Sequence, residues 1–420
     1  MKLLLLSLTS SLALATSSAA TIYQEPELTD TNVPADEVAQ QPLADAPLAT
    51  HRTELLTLAF RSASSLPLEP HIKNRSRAQE GVVATYVELG QYRAARELAS
   101  DIVNWRRGAA LADLAWALAS DGDNAHVPDL VEAAAESIED TTAEQAQGWR
   151  RDRLRTKIAR ALLASGNPEL AAKWSAGAAD SEIARLAAEA ARTMTVEQAR
   201  EFLDTIDRVA KTMVFEQVMG TLEVAADLYG MHYADSELRT ALEERIKAAW
   251  GLLPIGVRLT LLADMASGAV QYGDDEGALR LLTEATELMD SYPWGQMRNH
   301  VPLIARLAQG RAEAGDAEGA RRELRRGLEV FLEGQAATPD VFQARALRPL
   351  AIAAHMAGEG ELAGELFALT VEVGLHNPNA RPRAEDLAAT ASEMAAIDFE
   401  PGPALWGALR GGLDGLKAPW

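Results

Sequence analysis

The sequence predicts an all-α fold, a superhelix of stacked antiparallel helix pairs closed by a helical cap at its C-terminal end. Three observations predict it. A helix–turn–helix pattern recurs eight times, with glycine at most of the turns. Apolar residues recur at spacings of three and four, the period of one helix face. No stretch keeps the apolar–polar alternation bounded by turn residues that a strand needs.

The units centre on Gly90, Gly122, Gly166, Met194, Gly230, Gly273, Gly315 and Gly358. Eight residues before each anchor stand Val82, Leu114, Ile158, Leu186, Leu222, Met265, Leu307 and Leu350, all apolar. One residue further on, the column reads Val83, Ala115, Ala159, Ala187, Glu223, Ala266, Ala308 and Ala351, broken only by Glu223. Five residues after the anchor come Ala95, Val127, Ala171, Ala199, Asp235, Ala278, Ala320 and Ala363. Alanine on both facing helices lets backbones approach closely, and a neighbouring Leu or Phe fills the gap. The glycine suits the left-handed end of a first helix. A single pair cannot bury its apolar face, whereas stacked pairs can.

These offsets resemble the tetratricopeptide repeat, over about residues 77–375. Gly166, Gly273 and Gly315 carry the resemblance best, and Gly230 worst. The steps of 43, 42 and 43 residues from Gly230 to Gly358 exceed that family's ~34-residue period, and its closing proline is missing from its place. Armadillo- and HEAT-type arrays have similar periods and are the structural alternative. The resemblance implies a right-handed superhelix whose first helices line a concave groove. The family's groove-facing offsets fall here on Trp116, Arg153, Arg160, Gln271, Gln309, Arg345, Arg348 and His355, as contacts for a protein or peptide partner.

Along the chain, residues 1–20 read as a secretory signal peptide. Lys2 begins it, Leu3 to Ala15 form its apolar core, and Ser18-Ala19-Ala20 its cleavage site. Residues 21–50 hold four prolines, six acids and no Lys or Arg, the composition of a disordered acidic spacer. Residues 51–76 supply a helix from near Thr53, then a loop at Pro67 and Pro70. The repeats follow over 77–375, with an irregular region around 182–250 that is either a bend or a ligand's entry point. Pro349 falls in the last first-helix, which either begins or kinks there. Residues 376–420 supply two further helices, about 383–397 and 403–416, read as the cap a solenoid needs to close its last apolar face.

Chemistry is less legible. The chain has no Cys, so no thiol nucleophile, thiolate metal site, disulfide or lipid-bearing cysteine. None of the seven histidines stands three or four residues from another, so no helix presents a His pair to a metal. Motifs for phosphate loops, zinc proteases, dinucleotides or nucleophilic serines are missing. We expect no cofactor and no enzymatic activity. Removing the signal leaves 39 basic against 61 acidic residues, a net charge of −22. That charge repels nucleic acid and anionic lipid, and no later segment offers the ~20 apolar residues of a membrane span. Two basic clusters interrupt the acidity. Arg321, Arg322, Arg325 and Arg326 read as a solvated face pairing with Glu318 and Glu329 of their own helix. Arg150, Arg151, Arg153, Arg155 and Lys157 fall on a first helix.

The expectation is a periplasmic or secreted scaffold that binds a protein or peptide in its groove. The alternative is a helical toroid, or a superhelical protein resembling that part of lytic transglycosylases, acting on or binding envelope polysaccharide. An aromatic content of 5% counts against a sugar cleft, which is usually lined with aromatic rings and needs a carboxylate pair.

Overall fold

The computed structural model describes residues 43–138, 148–191 and 193–420. The expected signal peptide and residues 21–42 of the expected spacer lie outside the described residues. Every described helix belongs to an all-α array, and no helix of the described residues is long and apolar enough to cross a membrane.

The chain opens with α1 (Thr50–Ser65). Pairs then follow in order: α2 (Leu68–Glu88) with α3 (Tyr92–Ala99), α4 (Arg106–Ser120) with α5 (Val127–Glu136), and α6 (Gly148–Ala164) with α7 (Pro168–Ser175). Next come α8 (Asp180–Ala191), α9 (Val196–Ala210), α10 (Phe215–Met231) and α11 (Ser236–Ala249). Three regular pairs complete the array: α12 (Ile255–Tyr272) with α13 (Asp275–Asp290), α14 (Met297–Glu313) with α15 (Ala317–Gly334), and α16 (Asp340–Met356) with α17 (Gly360–Leu375). The C-terminal helices are α18 (Ala380–Ala396) and α19 (Pro403–Asp414).

The apolar columns do what their spacing predicts. All eight residues of the first column, from Val82 to Leu350, are buried, as are seven of the eight that follow the anchor by five. Six turn glycines, Gly90, Gly122, Gly166, Gly273, Gly315 and Gly358, take left-handed φ between 66° and 88°. Asp274 and Asp316 then cap the next helix, accepting hydrogen bonds from the backbone N–H of Gly277 and Gly319.

Four details differ from the sequence reading. Gly230 is not a turn: it lies inside α10, where its Cα meets Gly268 of α12 so closely that a Cβ on Gly268 would stand 2.6 Å from it. It serves a helix crossing, and the turn follows at His232–Asp235. Pro349 lies within α16, which begins at Asp340. The end of the expected spacer is built into the fold: Leu43 is buried, and Asp45 accepts from the backbone N–H of Arg93 and Ala94 while its carboxylate pairs with the Arg93 guanidinium. The Arg321–Arg326 cluster pairs mainly between units, Arg321 with Glu359 and Arg326 with Asp290.

The largest difference concerns the ends. The C-terminal helices do not cover a free face. Instead α18 lies along α1 to an extent within the range of the regular pairs, and it also packs on α2. The last pair is thus α18 with α1, its members more than 300 residues apart in sequence. Arg52 donates to the carbonyls of Ala395 and Ala396, Asn74 donates to Glu385, and Arg410 pairs with Glu54. One apolar cluster runs through this seam, taking residues from Leu43 to Leu186 and from Met297 to Leu409. The array therefore closes on itself.

Each first helix lies against the next around the circuit α2, α4, α6, α8, α10, α12, α14, α16, α18 and back to α2. Among the described second helices of these pairs, only α9 and α11 pack closely on each other. In a closed array the side with the shorter circumference is the crowded one. The first helices therefore form the inner wall, and the second helices the outer.

Candidate inner-wall site

Neighbouring first helices are tied by a lattice of ion pairs. Glu80 of α2 pairs with Arg106 of α4 and, at 3.9 Å, with Lys157 of α6. Lys157 also pairs with Asp113 of α4, which accepts a second bond from Arg160 at 3.2 Å. The Arg160 guanidinium stands 4.0 Å from the centroid of the Trp116 ring, a cation–π stack between α6 and α4. Asp264 of α12 meets Arg306 of α14 at 2.9 Å in the same way, and burial pushes its carboxyl above the usual carboxylate range despite that partner. Asp113, Lys157, Asp264 and Arg306 all stand nine residues before their turn glycines. Equal register on adjacent helices brings opposite charges face to face. Sequence reasoning passed over this column, although its alternation of sign was there to be read.

Beyond the lattice, α6 keeps a basic face. Arg153, Lys157 and Arg160 are spaced by four and three residues, one stripe of the helix. Arg153 is partly exposed and has no ion-pair partner among the described residues.

At the seam the inner wall holds a cavity of about 260 Å³. It lies among α2, α16 and α18 and is walled by Arg77, Arg345, Glu385 and Glu393, with Gly81 and alanines between them. Arg345 is exposed and has no ion-pair partner among the described residues. Arg77 reaches Glu385 at 3.5 Å, but that carboxylate is already served by Asn74 at 2.7 Å and by Arg381 at 3.4 Å. Behind this cavity Arg348 of α16 is buried between Asp386 and Glu393 of α18, 3.6 Å from each. At that distance the attraction does not offset the loss of water. Burial raises Glu393, and it pushes Asp386 up to about 6.

The eight residues expected to face a groove thus fare differently. Trp116 and Arg160 stack on each other, with Arg153 along the same stripe as Arg160. Gln309 is partly buried and donates to Glu313 of its own helix. Gln271 is exposed near the end of α12, away from these groups in sequence and circuit. Arg345 lines the seam cavity. Arg348 and His355 serve the fold instead: Arg348 is spent on the two carboxylates of α18, and the His355 ring bonds the Ile397 carbonyl at 2.9 Å and packs edge-on against Phe399. Both changed roles have one cause, the arrival of α18 beside α16. Arg77 was overlooked, yet it stands 13 residues before Gly90, as Arg153 and Arg345 stand before their own turn glycines.

No protein-family model and no curated protein matches this chain. Among solved structures it is similar to one titled "Circular tandem repeat protein with novel repeat topology and enhanced subunit contact surfaces", at 17% identity, covering 91% of this chain and 96% of that one, with a TM-score of 0.28. A superposition that loose adds nothing to the contacts described above.

Proposed function

We propose that this protein is an exported, non-catalytic scaffold whose ring of helix pairs binds a protein or peptide partner along its inner wall. The observation that carries the reading is the α4–α6 surface. There a stacked Trp116–Arg160 pair lies on the same helices as Arg153, which has no ion-pair partner among the described residues, and Asp113 and Lys157 beside the stack are tied into the ion-pair lattice. Pre-ordered aromatic and guanidinium groups are what binding surfaces use as anchors, because little side-chain entropy is lost on binding. The acidic chain around this basic stripe confines an acidic or carboxylate-bearing segment to it.

Export is the compartment that the Lys2, Leu3–Ala15 and Ser18-Ala19-Ala20 pattern supports, and a chain without cysteine needs no oxidative maturation there. Amino-terminal sequencing of the fractionated protein checks it, with Thr21 as the expected first residue. The binding reading is tested by crosslinking the tagged protein in the envelope fraction. A specific protein captured by the wild type and lost from the Arg153→Ala/Arg160→Ala variant supports it. Equal capture by the variant removes the assignment.

Closure of the array gives a second reading its one support, since a toroid acting on or binding envelope polysaccharide also encloses a central surface. Two carboxylates there, Asp386 and Glu393, have a raised affinity for protons, as an acid catalyst requires. Both are tied to Arg348, however, and the Asp386 side chain is only 8% exposed, too enclosed to reach a glycosidic bond. Turnover of envelope glycan by the purified protein would replace the first reading with this one.

A further inference from the structure

We propose that the seam cavity is a binding site for a small carboxylate of amino-acid or hydroxy-acid size, and that such a ligand holds the ring closed. The proposal is independent of the partner on α4 and α6.

Four observations converge on this cavity. Its walls carry two guanidinium groups beside Glu385 and Glu393, and the guanidinium groups have capacity to spare. Among the described residues Arg345 has no ion-pair partner, and Arg77 holds only a long 3.5 Å contact to a carboxylate with better partners. Two guanidinium groups from facing helices can grip one carboxylate through parallel N–H donors. Second, Ser392 of α18 lines the cavity, is 5% exposed, and its Oγ has no hydrogen-bond partner among the described residues. A buried hydroxyl without a partner carries a desolvation cost, which a ligand's hydroxyl or amino group would relieve. Third, Gly81 sits in the interior of α2 with helical backbone, and a Cβ there would meet nothing within 4 Å. Neither a turn nor a close helix crossing requires glycine at that position, and in a helix interior glycine is worse than alanine by about 1 kcal/mol. What the missing side chain does is leave the cavity open. Fourth, the volume of about 260 Å³ lies just below the range of about 300–1,000 Å³ that holds drug-sized ligands, so the occupant is small. Ala78, Val82, Ala388 and Ala389 give its body an apolar bed.

The place of the cavity supplies its consequence. Its walls come from α2 on one side of the seam and from α16 and α18 on the other. A ligand that touches all three binds only the closed ring. By mass action, free ligand at a hundredfold excess over its Kd makes opening of the seam about a hundredfold less frequent.

The test is calorimetric titration and thermal unfolding of the full chain with the common amino acids, small 2-hydroxy acids, their methyl esters and inorganic phosphate. We expect saturable binding of one or more of the free acids, a raised unfolding temperature, and no binding of the matching ester. Arg345→Ala removes a surface charge and should weaken binding at least tenfold while the chain stays folded. Arg345→Lys, which keeps the charge but loses the fork, should restore only part. Gly81→Phe should abolish binding by filling the space. Arg153→Ala/Arg160→Ala should bind as the wild type does. Binding that survives both Arg345→Ala and Gly81→Phe, competition by phosphate as strong as by the acid, or no binding of any free acid at millimolar concentration overturns the proposal.

Discussion

Two junctions in this molecule invert what the order of the chain suggests. At one, α8 and α9 are sequence neighbours, ending at Ala191 and starting at Val196, yet they barely touch, and α9 packs on α10 and α11 instead. At the other, α18 and α1 stand near opposite ends of the described chain, yet they form a pair as extensive as a typical regular one. The difference lies in the faces. α18 buries Ala384, Ala388, Ala391 and Ala395 in a register that lets another backbone come close, and α1 meets it with Leu55, Leu56, Ala59 and Ala63. α9 buries only Ala199 and Ile206. Its neighbouring unit has Met194 where a left-handed glycine stands elsewhere. Small residues at helical spacing make a pair, and covalent adjacency does not.

The comparison can be broken hardest at Arg348. Arg348→Ala leaves the buried Asp386, and the part-exposed Glu393, without their cation. It should cost about 3–5 kcal/mol, the usual result of orphaning a buried charge, measured by denaturant unfolding. Leu55→Ala should cost about 2–5 kcal/mol, as for other fully buried leucines. Phe202→Ala on α9, whose ring is only partly buried, should cost clearly less. Equal losses at the two junctions would refute the contrast drawn between them.

Titration sharpens it further. Asp386 binds its proton more tightly folded, at about 6, than unfolded, near 3.9. A raised acid favours folding while protonated, so its contribution is fully present below about pH 4 and is lost as pH rises to about 6. About two units of difference correspond to roughly 2–3 kcal/mol. Asp386→Asn should remove that downward slope, read as the difference between the two stability–pH curves. The smallest effect is expected at a regular turn. Asp274→Ala removes the cap of α13 and should cost about 1 kcal/mol, seen as a small shift of the unfolding midpoint.

How far the sequence carried can be said residue by residue. The columns headed by Val82 and Ala95 were readable because helical spacing is local, and a local signal survives whatever packs on it. Gly230 was misread because glycine serves a left-handed turn and a tight helix crossing equally well, and only Gly268 across the interface tells them apart. Offsets placed Trp116 beside Arg160 and brought Arg345 to the inner wall. They failed at Arg348 and His355 because α18 returns to lie beside α16, and no local pattern announces a contact made across the seam. Arg77 belonged to the same column as Arg153 and Arg345, and comparing columns across all units would have found it.

The seam also has a meaning in time. Helix α1 is synthesised more than 300 residues before its partner α18. With synthesis at about 5–20 residues per second, the intervening chain takes on the order of tens of seconds to appear. Throughout that interval Leu55, Leu56 and Ala59, all fully buried in the finished ring, can be covered by α2 but not yet by α18. The first helix has to wait for α18 before its packing is complete.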